Sequence, residues 1–312
     1  MKKLVEREDA PRESSITGAP ALAVQFFLIP LAVVGVVALV YGGFRILVTT
    51  ERTPQEYLND VRNGGRERRW PAAYELSRLL ADPEVEVQHP ELGAALVRAF
   101  SDSEGDDSRV RRYLALAVGQ LEMPPTDAID ELVNALDDPD AETRISVIWA
   151  LAAIGGAAIV PGIESMYASD DAGVRKMAVY ALGALPPGDD VATLRNALDD
   201  PVADVQWNAA LSLARHGRTE GVPVLRRMLD RVYVERTVTR TPAVDATIDP
   251  VSEVMISGLH AAATVQAAAL YTLIETLSRE DRSLRVREVA LKTLEAFSAV
   301  PANETAHTAL ER

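Results

Sequence analysis

The four histidines of this 312-residue chain, His89, His216, His260 and His307, are the side chains best suited to move a proton near neutral pH or to hold a transition metal. A locally built site would place two of them in an H-E-x-x-H register, and none is so placed. Carboxylates recur as pairs instead, at Asp137-Asp138, Asp170-Asp171, Asp189-Asp190 and Asp199-Asp200. Such pairs suit a divalent cation, but they fall at turns just before helices, where Asp caps free backbone N–H groups. No cysteine is present to act as nucleophile, metal ligand or disulfide partner. G-x-S-x-G, G-x-x-x-x-G-K-[ST] and G-x-G-x-x-G are missing as well. The expectation is of no catalytic residue, no metal and no cofactor, and so of a protein that is not an enzyme.

A different chemistry is suggested by aromatic side chains one helical turn apart. Ile145 and Trp149, Lys176 and Tyr180, then Trp207 and Leu211 occupy equivalent places in three successive segments. Residues four apart share a helix face, so stacking the segments aligns the six into one stripe. Trp and Tyr bury large area at small entropic cost and serve as interface anchors. Trp149, Tyr180 and Trp207, with Ile145 and Leu211, are therefore candidate partner-binding residues; the competing reading packs them between neighbouring segments.

The elements that carry the stripe repeat. The pattern V-R-x-x-A-x-x-A-L-G-x-L is clearest as Val174-Arg175, Ala178, Ala181, Leu182, Gly183 and Leu185, with versions starting near Arg68, Val110, Thr143, Val205, Val254 and Val286. Most spacings lie near 31–33 residues, a period that signals stacked helical hairpins. Turns such as Leu136-Asp137-Asp138-Pro139 and Leu198-Asp199-Asp200-Pro201 stop one helix and start the next. Alanines let the second helix of each hairpin approach its neighbours, while Leu and Val at helical spacing fill the core.

These motifs resemble the HEAT-like repeat family, in its short form first associated with phycobilin lyases, from Thr53 to Phe297. The resemblance implies an α-solenoid of about seven hairpins. It also implies a structural ladder of turn acids and helix arginines bridging adjacent repeats, assigned to Asp138 with Arg144 and Asp171 with Arg175, and to Arg111 and Arg287 in their own units. Gln206 stands where the arginine is expected and interrupts the ladder. The lyase association is not carried over, because no bilin-specific residues can be identified.

Ahead of the repeats, Ala21 to Val48 is apolar except for Gln25 and Arg45, and no charge occurs from Ser14 to Phe44. A helix of about 20 apolar residues crosses a bilayer. The expected organisation is a polar tail at 1–19, a transmembrane helix at 20–48, an all-α solenoid at 49–300 with an insertion at about 231–250, and a tail at 301–312. The basic cluster Arg62, Arg66, Arg68 and Arg69 suits anionic headgroups or an ordinary helix end. Residues 70–312 hold 22 basic and 38 acidic groups, a net of -16, which argues against a nucleic-acid partner. The resulting expectation is a single-pass membrane protein with a cytoplasmic solenoid, in contact with lipid through residues 20–48, that organises protein partners as a scaffold. The alternatives are a subunit of a lyase-type or other enzyme with a site in the groove, and a nucleic-acid-binding module.

Overall fold

A computed structural model describes residues 29–48, 52–188, 191–238 and 249–298. By contacts the chain forms two units, Met1–Thr53 and Pro54–Arg312. In the first, the described element is α1 (Ile29–Val48). Among the described residues no helix is long and apolar enough to cross a membrane. That finding corrects the expected single-pass localisation and lipid contact. Residues 20–28, part of the expected span, and both tails lie outside the described residues.

The second unit is helical throughout its described residues. Its helices pair into seven hairpins. Hairpin 1 is α2 (Pro54–Asn63) with α3 (Arg66–Leu79); after α4 (Pro83–Gln88), hairpin 2 is α5 (Leu92–Ser101) with α6 (Ser108–Gly119). Hairpin 3 is α7 (Ala128–Asn134) with α8 (Ala141–Ile154), and hairpin 4 is α9 (Val160–Ser165) with α10 (Ala172–Ala184). Hairpin 5 is α11 (Ala192–Asn196) with α12 (Ala203–Arg215). Hairpin 6 is α13 (Val222–Met228), followed by α14 (Arg231–Thr237), with α15 (Pro250–Val265); hairpin 7 is α16 (Tyr271–Glu280) with α17 (Leu284–Ser298). The stretch from Asp82 to Pro90 contains a helix, as does the start of the insertion; residues 239–248 are outside the described set.

Capping sets where the second helices begin. Asp107, Asp140, Asp171 and Asp249 accept backbone N–H bonds from the first turns of α6, α8, α10 and α15, each cap contributing about 1 kcal/mol. Behind them, Leu114, Val118, Val147, Leu151, Val174, Ala178, Val205 and Leu213 are fully buried and join successive hairpins into a continuous core. The glycine of the A-L-G-x-L motif has a specific task. A Cβ on Gly119 would lie 2.5 Å from the Ala150 Cα of α8, and one on Gly183 would lie 2.7 Å from the Ser212 Cα of α12. Second helices of neighbouring hairpins therefore touch backbone to backbone at these points.

Candidate functional site

α8, α10, α12 and α15 present side chains to one open concavity of about 580 Å³, lined by Trp149, Lys176, Met177, Tyr180, Trp207 and Leu211, with Met228, Val254 and Ser257 at the far end. Five of the six stripe residues meet there. The sixth, Ile145, does not: its Cδ1 faces Gly173 and it packs into the core between hairpins 3 and 4. The turn-by-turn drift of the helix places Ile145 toward the neighbouring hairpin and leaves Trp149 at the groove.

The aromatic residues differ in how they sit. Tyr180 is 39% exposed, and the Arg215 guanidinium lies 5.1 Å from its ring centroid, an arrangement that holds the ring by cation–π attraction. Trp207 is 6% exposed and forms part of the floor; its indole N–H is buried without a partner. Lys176 reaches Asp204 at 3.8 Å on the rim, and Arg285 reaches Glu253 at 2.5 Å at the far end. The surface therefore combines flat apolar faces with polar groups at its edge, chemistry suited to a planar or apolar group that carries polar ends. Val254 and Ser257 were not legible as groove residues, because the insertion shifts α15 out of the 31-residue register.

The arginine ladder runs forward along the chain. Arg111 Nε donates to Asp138 Oδ2 at 2.7 Å, and Arg175 grips Asp200 through Nε at 2.9 Å and Nη2 at 3.1 Å. Each rung thus joins an arginine to the turn acid of the next hairpin. The expected pairs within one unit are corrected accordingly. Arg144 meets the backbone carbonyl of Asp138 at 3.3 Å, and the Asp171 carboxylate caps α10 at the N–H of Val174. Gln206 does lack a rung; it donates to the Asp200 carbonyl and accepts from Arg227. In hairpin 6 the arginine position holds Met255, and Arg231 of α14 supplies the guanidinium, reaching Asp281 Oδ2 at 2.8 Å and Oδ1 at 2.6 Å. Arg287 lies in α17, the last described helix.

Burial tends to raise the Asp200 pKa, but hydrogen bonds from Arg175, the Val202 N–H and the Tyr167 hydroxyl hold it below the usual carboxylate range. Tyr167 is pushed up, first by burial and then by the Asp200 charge. The histidines serve local structure where described: His89 Nδ1 lies 3.0 Å from Gln55 Nε2, His216 Nε2 lies 3.2 Å from the Leu185 carbonyl, and His260 is exposed. Among the described residues no cluster of three acids and histidines could hold a metal ion. Two arginines of the basic cluster bind carbonyls, Arg62 that of Ala95 and Arg69 that of Val61.

The HEAT-repeat family model matches residues 94–183 and 160–241. These residues resemble HEAT repeats. The hairpins of this chain are similar to phycocyanobilin lyase subunit alpha of Nostoc sp. (strain PCC 7120), with 25% identity over 248 residues that cover 72% of this chain and 83% of the relative. In fold they resemble the complex of CpcE and CpcF of phycocyanin lyase from Nostoc sp. PCC7120, at a TM-score of 0.50 and 18% identity, covering 78% of this chain and 87% of that one. The relationship to a lyase subunit overturns the expectation that the chain is not an enzyme. A solenoid can assemble a site from several repeats, and a search for local motifs does not register residues brought together that way.

Proposed function

We propose that this chain is a subunit of a lyase-type enzyme and that the Trp149–Tyr180–Trp207 groove is where it engages its substrate or the protein that carries it. The observation that carries the reading is the similarity to a named lyase subunit along most of both chains. The groove chemistry supports it: a conjugated group would stack on Tyr180 and Trp149, and Lys176 would meet a carboxylate at its edge.

The test starts with the full-length chain and phycocyanobilin, the group in the relative's name. Binding quenches tryptophan emission, and Trp149→Ala or Tyr180→Ala weakens it about tenfold, roughly the 1.4 kcal/mol expected for one lost ring contact. Copurification with a second subunit, and transfer of the bilin to an acceptor protein by the pair, would establish the lyase role. Retention of a stoichiometric protein partner at the groove, with no bilin bound or transferred, would replace the enzyme reading by that of a protein-binding scaffold.

A further inference from the structure

The seams between consecutive hairpins are not alike. Hairpins 2 and 3 are bridged by Arg111–Asp138 and by Arg112–Asp140 at 2.9 Å. Hairpins 4 and 5 are bridged by Arg175–Asp200, Lys176–Asp204, the Ser212 hydroxyl to the Val179 carbonyl at 3.0 Å, and His216 to Leu185. Between hairpins 3 and 4, among the described residues, no hydrogen bond or ion pair crosses. The residue in the turn-acid position there is Ser169, aligned with Asp138 and Asp200. Opposite it, Arg144 keeps a buried Nε without a partner, and Nε is the atom that makes the rung at Arg111, Arg175 and Arg231.

The covalent link at this seam also differs from those on either side. The chain passes from α6 to α7 through Pro124-Pro125, and from α10 toward α11 through Pro186-Pro187. From α8 to hairpin 4 it passes through Gly155-Gly156, with φ of 80° and 104°, and a Cβ on either glycine would meet nothing within 4 Å. Proline stiffens a connection, whereas glycine admits many backbone states. What holds hairpins 3 and 4 together is apolar contact, such as Ile145 against Gly173 and Leu136 against Gly162, which is non-directional and survives small rotations.

We propose that hairpins 3 and 4 meet at a hinge that sets the width of the groove, with Trp149 on one wall and Tyr180, Trp207 and Leu211 on the other. The consequence for binding rests on the groove being the docking surface; the hinge itself is measurable without any ligand. The two stiff blocks turn about Gly155-Gly156, and a missing carboxylate at position 169 leaves the motion unlatched. Closure on a bound group would bring Trp149 toward Tyr180, a hinge motion of the kind that few loop residues can absorb.

The absence of cysteine allows spin labels at Asp130→Cys and Asn196→Cys, exposed positions on either side of the hinge, in the otherwise unaltered chain. A control pair at Ala158→Cys and Thr219→Cys spans the bridged seam of hairpins 4 and 5. The expected result is a distance distribution across the hinge clearly broader than the control. Ser169→Asp supplies the missing carboxylate; it should narrow that distribution and raise the melting temperature by about 3 °C, whereas the neutral Ser169→Asn should do neither. Equal widths for the two pairs, or a Ser169→Asp variant that behaves as Ser169→Asn does, would overturn the hinge. Failure of bilin or partner binding with the hinge behaviour intact would instead remove only the groove assignment.

Discussion

Arg144 and Arg175 occupy the same place in adjacent hairpins, and the residue across each seam decides what they contribute. Arg175 faces Asp200, whose side chain is 2% exposed. Removing one partner of so buried a pair leaves an uncompensated charge, so Arg175→Gln should destabilise by about 3–5 kcal/mol. Arg144→Gln, with no rung to lose, should cost less than about 1 kcal/mol; chemical denaturation of the two variants side by side reads the contrast. Acid should act through the same carboxylates. The folded pKa of Asp200 is depressed, as are those of Asp140 and Asp249. Their stabilisation is complete above the unfolded Asp value of about 3.9 and is lost as pH falls through the folded values. Asp200→Asn should flatten the loss of stability measured below about pH 4 relative to the parent chain.

At the scale of helices, the A-L-G-x-L motif marks the points of closest approach between second helices. Gly183→Ala pushes a methyl group into Ser212 of α12, and overpacking of this kind costs about 1–3 kcal/mol, visible as a lower melting temperature with helical content retained. The repeat period, the capping role of Asp171 and the close packing of small residues were legible because each follows from local sequence. The ladder's partners were harder to read. Asp138 and Arg144 are six residues apart and invite pairing, yet the geometry carries Arg111 and Arg175 forward to acids 27 and 25 residues on. Ile145 was assigned to the groove since it lies one turn from Trp149, but a few tens of degrees of helix phase, unreadable from spacing alone, turn it into the seam. The role of Arg231 had no local signal, because it replaces an arginine absent from a different helix and binds an acid 50 residues away.

Across the whole repeat array, hairpins 1–7 follow the number and order the periodicity implies, whereas the function did not follow from the architecture. The similarity to a lyase subunit emerged from comparison along the chain, and the groove acquired its far wall in part from a helix displaced by the insertion. The forward direction of the rungs also bears on how such arrays grow and shrink. Excising residues 155–185, one period that contains Ser169 and Arg175, joins Ile154 to Pro186 and sets Arg144 in the place Arg175 now holds before Asp200. The shortened protein would exchange its unlatched seam for a complete salt bridge, and its cooperative unfolding can be followed by circular dichroism. A gene that lost this unit would encode a smaller and stiffer relative with one fewer aromatic in its groove. Unit loss in this lineage can therefore trade adaptability for rigidity in a single genetic event.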